Sequence, residues 1–133
     1  MIMKKLVLDI DGTITIDSDK PYSEKPVNKQ FVKQMNEYKR MGFEIILFTS
    51  RNMRTYDGNI GKINKNTLPT LMTWLEKNEV PYDEIYVGKP WCGFDGFYVD
   101  DKAIRPSEFT SLSYEEIQSL LNKENPFKDG GNK

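Results

Sequence analysis

Residues 6–13 have the sequence Leu6-Val7-Leu8-Asp9-Ile10-Asp11-Gly12-Thr13, in which two aspartates follow a short apolar run. An uninterrupted apolar run of this kind is typical of a strand that is buried on both faces of a parallel sheet. Three further runs share the pattern, and we predict that they are strands as well: 44–48, 85–87 and 97–99.

Helical spacing of apolar residues separates the first three runs and follows the fourth. We predict helices near 27–38 and 68–75, the second with Asn66 as its N-cap, and a last helix that begins at the capping box of Ser113 and Glu116. Strands that alternate with helices predict an α/β fold: a single doubly wound, Rossmann-like domain with a parallel sheet. We expect it to span residues 1–127, followed by a frayed tail over 128–133.

The composition excludes several classes of protein. The chain has 133 residues, enough for one domain, and its 19 basic and 20 acidic residues leave a net charge of −1. We therefore expect no nucleic-acid partner. No apolar stretch approaches the ~20 residues that span a bilayer, so we expect no membrane partner. The basic and apolar start runs into Asp9 without a cleavage site, which favours a cytoplasmic location.

The absence of histidine narrows the chemistry further. It excludes phosphohistidine intermediates, Ser-His and Cys-His nucleophile pairs, and histidine-ligated zinc. The single cysteine, Cys92, forms no internal disulfide and no paired metal motif. Hydrolytic chemistry here would have to use carboxylates, lysine, hydroxyl groups and a hard metal ion.

Chemically capable side chains follow all four predicted strands. In open α/β sheets, ligands bind outside the carboxyl ends of the strands. We therefore expect one site to contain the following groups: Asp9, Asp11 and Gly12 after the first strand, Thr49, Ser50 and Arg51 after the second, Lys89 after the third, and Asp100 and Asp101 after the fourth.

This set of groups suits phosphoryl transfer. Asp9 is the candidate nucleophile, since carboxylates form aspartyl phosphates. Asp11 is the candidate acid and base, acting first on the leaving oxygen and then on the attacking water. Gly12 lets the backbone approach the phosphate closely. Ser50 and Arg51 directly follow Thr49, and we predict that they bind the substrate phosphate.

Both Asp9 and a phosphate substrate are anionic, so a hard cation between them is expected, and oxygen ligands favour Mg²⁺. Asp100 is the natural further ligand, with Asp101 either a ligand or a group that orients the others. Thr49 can donate a hydrogen bond to a phosphoryl oxygen. Lys89 can offset the charge of the aspartyl phosphate.

The order Asp-Ile-Asp-Gly-Thr, Thr49-Ser50, Lys89 and Asp100-Asp101 resembles the haloacid dehalogenase (HAD) superfamily of phosphatases. The resemblance covers about residues 4–106. It implies an Mg²⁺-dependent hydrolase of phosphoric monoesters with Asp9 as nucleophile and Asp11 as acid and base. It also implies that the metal is held by the Asp9 carboxylate, the Asp11 backbone carbonyl and Asp100.

A narrower resemblance involves residues 49–55, 88–93 and 96–106, which are similar to small phosphatases of capsular polysaccharide biosynthesis. It implies a sugar phosphate as substrate. The superfamily usually inserts a cap domain, but residues 14–27 are long enough only for a hairpin flap, and 51–65 form a polar loop. We therefore expect a domain without a cap and an open site, unless a partner subunit of a homo-oligomer covers it.

Other functions remain open at this stage. Within the enzyme class, the alternatives are a nucleotide phosphatase and a phosphotransferase. A signalling receiver domain also combines an acidic cluster, a hydroxyl and a lysine, but its phosphorylated aspartate lies near mid-chain, where this chain has Thr49. A non-catalytic binding module is disfavoured because Asp9, Asp11, Lys89 and Asp100 are all present. The sequence alone gives neither the natural substrate nor the oligomeric state.

Overall fold

The computed structural model describes residues 4–125, which form two compact units. The first unit ends at Trp91 and the second begins at Cys92. The predicted tail over 128–133 and the last residues of the predicted domain lie outside the described residues. The extent of one domain over residues 1–127 therefore stays a prediction.

The first unit is built on a three-stranded parallel sheet, as the apolar runs predicted. Its strands are β1 (Lys5–Asp9), β2 (Glu44–Phe48) and β3 (Glu84–Tyr86), in the order β1-β2-β3. The register aligns the carboxyl ends, with Asp9 opposite Phe48 and Phe48 opposite Tyr86. The α/β class is confirmed, and the residues that follow these three strands meet at one edge of the sheet.

Residues 4–91 of the first unit contain three α-helices: α1 (Lys29–Arg40), α2 (Ile60–Asn66) and α3 (Leu68–Lys77). Helix α1 begins at Lys29 and not at 27, because Asn28 is its N-cap: the Asn28 side chain accepts a hydrogen bond of 3.1 Å from the backbone N–H of Phe31. Its buried residues Phe31, Met35 and Tyr38 recur at helical spacing. Each such side chain contributes about 1.5–3 kcal/mol of burial free energy.

Asp83, just before β3, ties several elements of the first unit together. Its carboxylate accepts hydrogen bonds from Lys39 Nζ at 2.9 and 2.8 Å and from the backbone N–H of Ile45 at 2.8 Å. Its own backbone N–H donates to the carbonyl of Ile45 at 2.8 Å. The start of β3 is thereby fixed to β2 and to the last turn of α1.

The flap over residues 14–27 is less regular than the hairpin we predicted. Only an isolated antiparallel bridge joins Thr15 to Val27, and a 3-10 turn spans Tyr22–Glu24. The cause lies in residues 13–15, whose backbone N–H groups all donate to the carbonyl of Ile10 and so wind the chain into a turn. The indole N–H of Trp74 donates to the carbonyl of Lys25 at 2.8 Å and anchors the flap on α3.

Asn66 is not the N-cap that we predicted. It is the last residue of α2, a helix that has Asn59 as its own N-cap and begins within the stretch 51–65 that was predicted to be a polar loop. Helix α3 follows after the single junction residue Thr67, without a side-chain cap. The two helices are nearly continuous, so the polar side chain of Asn66 is held within a helix and does not begin one.

The described part of the second unit contains two helices, α4 (Pro106–Ser111) and α5 (Tyr114–Glu124). The capping box of α5 is confirmed: Glu116 N–H donates to Ser113 Oγ at 3.1 Å, and Ser113 N–H donates to Glu116 Oε1 at 2.8 Å. Across residues 4–125, no helix combines the length and the apolar character needed to cross a membrane.

The predicted fourth strand at 97–99 is wrong. Phe97 and Val99 are 79% and 87% exposed, and the segment forms neither a strand nor a bridge among residues 4–125. An apolar run forms a strand only where a neighbouring strand pairs with it, and the described part of the second unit supplies none. Just before this segment the chain turns so tightly that a Cβ on Gly96 would lie 2.2 Å from the carbonyl oxygen of Cys92.

Candidate active site

Asp9, the last residue of β1, has a different partner on each carboxylate oxygen. Thr13 Oγ1 donates to Oδ2 at 3.0 Å, and Lys89 Nζ lies 3.4 Å from Oδ1. Burial raises the pKa of the Asp9 carboxyl, an effect that the charge of Lys89 and the hydrogen bond from Thr13 partly offset. The side chain is nevertheless 33% exposed, so an approaching ligand can reach it.

The turn after β1 brings Asp11 back beside the sheet edge. Gly12 has φ +79°, a conformation that side chains with a Cβ rarely adopt. Its backbone N–H donates to Thr15 Oγ1 at 2.9 Å. In this arrangement the N–H of Gly12 already has a partner, so its predicted approach to a phosphate stays a prediction.

Asp11 is held by residues that follow β2. Thr49 Oγ1 donates to Asp11 Oδ2 at 2.9 Å, and Arg51 donates to Oδ1 from Nε at 3.1 Å and from Nη2 at 2.7 Å. Thr49 is fully buried, and its hydroxyl oxygen accepts the backbone N–H of Arg51 at 3.0 Å. The proton of the Thr49 hydroxyl thus points at Asp11, and it would have to turn to reach a phosphoryl oxygen.

Arg51 is the most deeply buried charge of the site, with a side chain only 1% exposed. The ring of Tyr22 covers its guanidinium group, with Cζ 4.1 Å from the ring centroid. Nη1 is buried and has no hydrogen-bond partner among residues 4–125. Such an unmade hydrogen bond costs about 1–3 kcal/mol, and more for a charged group, so Arg51 retains an unused donor.

Lys89 reaches Asp9 because the chain turns sharply after β3. Gly88 has φ +88°, and a Cβ at this position would lie 2.6 Å from Ile60 Cδ1. The backbone N–H of Lys89 donates to the carbonyl of Thr49 at 3.0 Å, which fixes the lysine beside the end of β2. The positive φ favours glycine here, and a larger residue would in addition push the end of the Ile60 side chain aside.

Five predicted residues come together at the sheet edge of the first unit: Asp9, Asp11, Thr49, Arg51 and Lys89. Ser50 lies between Thr49 and Arg51, and its carbonyl accepts the backbone N–H of Met53 at 3.0 Å.

Asp100 and Asp101 lie in the second unit. Asp100 Oδ1 accepts the backbone N–H of Lys102 at 2.9 Å, and Asp101 accepts the side-chain amide of Asn125. Both are exposed. Their roles as metal ligand and supporting carboxylate stay predictions.

The oxygen atoms available at the site are of the type that binds a hard divalent cation. Asp9 presents carboxylate oxygens whose buried charge is only partly offset, and oxygen is the ligand that Mg²⁺ prefers. No group of three acidic, histidine or cysteine residues within the described range of 4–125 comes together as a ready metal cage. Mg²⁺ commonly completes its shell with water and substrate oxygens, so two protein carboxylates suffice.

Two residues of the site were not predicted from the sequence. Thr13 bonds Asp9, and its place four residues later in a tight turn was a usable signal. Tyr22 covers Arg51 from a flap 29 positions away in sequence, and no local pattern indicates that contact.

A crystal structure of a structural-genomics target from Vibrio cholerae is similar to most of this chain. The two chains are 55% identical, the match covers 92% of this chain and 100% of the other, and the TM-score is 0.91. The chain belongs to the family of this Vibrio cholerae protein. The name of that protein, a structural-genomics target, states no activity. The match therefore shows the family and the fold and nothing about function. No protein-family model and no curated protein matches the chain.

Proposed function

We propose that this member of the family is an Mg²⁺-dependent phosphomonoester hydrolase of the HAD type that works through an aspartyl phosphate on Asp9. One observation carries the proposal. The two carboxylates at the end of β1 have separate partners, Lys89 and Thr13 for Asp9, and Thr49 and Arg51 for Asp11. Two carboxylates in different environments are what a nucleophile and an acid-base group require.

In the first half-reaction, an oxygen of Asp9 forms a bond to phosphorus while the bond from phosphorus to the ester oxygen breaks. The carboxyl of Asp11 gives its proton to that oxygen, so the leaving group departs as a neutral alcohol. Lys89, 3.4 Å from Asp9 Oδ1, offsets the negative charge that gathers around the phosphoryl group.

In the second half-reaction, Asp11 takes a proton from water, and the water oxygen attacks the aspartyl phosphate. Inorganic phosphate leaves and the Asp9 carboxylate is restored. The contacts of Asp11 suit the base role, because Thr49 and Arg51 both donate to its carboxylate oxygens. Its acid role requires a proton on the carboxyl, and one of these contacts must then lengthen.

The residues proposed to hold Mg²⁺ are Asp9, the backbone carbonyl of Asp11, and Asp100. When bound, the ion supplies charge stabilisation that lets an anionic nucleophile approach an anionic phosphate. The remaining steps belong to the side chains named above.

We propose a sugar phosphate as the substrate class and the cytoplasm as the location. The support for the substrate is the sequence resemblance to small phosphatases of polysaccharide biosynthesis, together with a flap reduced to one bridge and one 3-10 turn. The support for the location is a chain with a single cysteine, as is common in reducing compartments.

The test is phosphate release from sugar phosphates, nucleotides and an aryl phosphate, each with and without Mg²⁺. We expect metal-dependent turnover with a preference for a sugar phosphate. Asp9→Asn is expected to be inactive, and Asp19→Asn, an exposed aspartate of the flap, serves as the matched control with unchanged activity. A preference for nucleotides would favour the nucleotide phosphatase. Stoichiometric phosphorylation without turnover would favour the receiver domain and contradict the proposal.

A further inference from the structure

The flap and the α2–α3 junction border a half-open cavity of about 140 Å³ in the first unit. It is lined by Tyr22, Arg51, Asn52, Asn66, Thr67 and Thr70. A cavity of ~150 Å³ accommodates a ring the size of benzene. The space therefore suits a six-membered ring or a chain of a few heavy atoms.

The side chain of Arg51 lies between the cavity and Asp11, the proposed acid-base group. Arg51 lines the cavity and also donates to Asp11 through Nε and Nη2. Asp11 is the group that acts on the leaving oxygen in the proposed reaction. The body of the leaving group is attached to that oxygen, and this cavity borders the far side of the arginine that holds Asp11.

The polar groups of the lining favour an uncharged ligand. Arg51 is the one charged residue of the lining, and Asp11 already compensates it at 2.7 Å. A second anion would leave a net negative charge beside the Arg51–Asp11 pair, which is unfavourable. The other lining residues are two amides, two threonines and a tyrosine, whose side chains bond hydroxyl groups as donors and acceptors.

The lining has hydrogen-bonding capacity that the protein does not use. The side chains of Asn66 and Thr70 have no hydrogen-bond partner among residues 4–125, and Nη1 of Arg51 has none either. Nη1 is buried beneath the ring of Tyr22, which is itself 42% exposed. An acceptor reaches Nη1 when that ring turns aside, whereas Asn66 and Thr70 are open to a ligand as they stand.

We infer that this cavity is the subsite for an uncharged, hydroxyl-bearing leaving group, such as the sugar ring of a sugar phosphate. The inference rests on the proposed phosphatase function and deepens it. Asn66 and Thr70 bond ring hydroxyls, and Tyr22 supplies a wall beside the ring. The subsite thereby selects hydroxylated phosphoesters over apolar ones of equal size.

The test compares two substrates whose leaving groups are six-membered rings. One is the best hydrolysed of several hexose 1-phosphates, and the other is phenyl phosphate, which has no hydroxyl on its ring. The variants are Asn66→Leu, Thr70→Val and the double variant, which remove the polar atoms at nearly constant volume. Both positions are exposed, so folding is expected to be intact, and a thermal unfolding curve checks it.

We expect kcat/KM of the double variant to fall about tenfold or more for the hexose phosphate. Its ring hydroxyls would lose their hydrogen-bond partners, and such losses reduce kcat/KM strongly. For phenyl phosphate we expect a change of less than about twofold to threefold, within the range of an unrelated surface change. Because each variant is compared with wild type on the same substrate, the different reactivities of the two esters cancel.

Equal losses on both substrates, or no loss on either, would overturn the subsite while leaving the phosphatase function intact. Hydrolysis of phenyl phosphate but of no hexose phosphate would overturn it as well. If wild-type protein hydrolyses neither ester, the phosphatase function itself fails, and the subsite that rests on it fails too.

Discussion

Arg51 holds Asp11 through two N–H groups on one edge of its guanidinium, with Nε 3.1 Å and Nη2 2.7 Å from Oδ1. The arginine is buried and covered by Tyr22, whereas Asp11 is partly exposed toward the site. A rigid, buried donor thus orients the side chain that the proposed mechanism uses as acid and base. This pair links the stability of the first unit to its chemistry.

Replacing Arg51 with methionine is expected to affect both stability and turnover. The change removes both N–H donors to Asp11 Oδ1 and leaves Thr49 as the side-chain donor to Asp11, so we expect a loss of about 1–3 kcal/mol in the free energy of unfolding. Activity is expected to fall at least about tenfold, because an acid-base group loses its orientation.

Urea unfolding and steady-state kinetics measure the two effects. Arg40→Met is the control, since Arg40 forms an exposed pair with Glu37 on α1, and such pairs contribute less than about 1 kcal/mol. Unchanged stability and turnover in Arg51→Met would show that the contact with Asp11 has no such role.

Gly88→Ala is expected to damage the site through the backbone. Position 88 has φ +88°, and the added Cβ would approach Ile60 Cδ1 to 2.6 Å. The strain is expected to cost about 1–2 kcal/mol or more, and displacement of Lys89 from Asp9 should lower kcat.

Gly61→Ala is the matched control because Gly61 lies inside α2, where its Cβ would meet only Asn59 Oδ1, at 3.4 Å. Gly61 is the second residue of α2, and alanine is favoured over glycine in helices by up to about 1 kcal/mol. The two substitutions should therefore shift the urea midpoint in opposite directions. A shift in the same direction for both would contradict the account of Gly88.

The pH dependence of stability should carry a contribution from Asp83. Hydrogen bonds from Lys39 and Ile45 lower the pKa of its carboxyl below the ordinary value of 3.8. A carboxyl whose pKa is lower in the folded state stabilises the fold above its unfolded pKa, and that contribution is lost as pH falls through the folded pKa.

We therefore expect Asp83→Asn to be less stable than wild type at pH 7 by an amount that shrinks below about pH 4. Urea unfolding at pH 7, 4 and 3 measures the difference. The exposed Asp19→Asn is the control and should show no such convergence. A gap that stays constant with pH would mean that the carboxylate form of Asp83 is not what stabilises the fold.

Much of the first unit follows from its sequence because its apolar runs are buried as continuous strands. The residues of β1, β2 and β3 carry their own signal, and the parallel sheet then brings Asp9, Asp11, Thr49 and Lys89 to one edge. The capping box of Ser113 and Glu116 likewise predicted the start of α5 through local hydrogen bonds. At these positions the local sequence pattern and the pairing of the strands predict the same structure.

The errors arose where the outcome depends on distant partners. The apolar run at 97–99 resembles a strand, but its three residues do not encode a pairing neighbour. Asparagine is a preferred N-cap residue, but α2 and α3 are nearly continuous, so no helix begins at Asn66. Tyr22 meets Arg51 through the path of the flap, which no spacing reveals.

If the proposed function holds, removal of Mg²⁺ should abolish phosphate release. Incubation with a chelator is expected to reduce phosphate release to background, and added Mg²⁺ should restore it, because the anionic Asp9 and an anionic phosphate repel each other without a cation. Asp100→Asn is expected to raise the Mg²⁺ concentration needed for half-maximal rate. Full activity in the presence of chelator would remove the metal from the mechanism.

The most direct test of the central claim is to trap the phosphorylated enzyme and find the modified residue. Wild-type protein is mixed with a substrate that it hydrolyses, and the reaction is quenched in acid within milliseconds. Borohydride is then added, which reduces an acyl phosphate to an alcohol. Mass spectrometry of the peptides is predicted to find homoserine in place of aspartate at Asp9, and no such product in Asp9→Asn. Modification at another residue, or turnover without any trapped intermediate, would contradict Asp9 as the nucleophile.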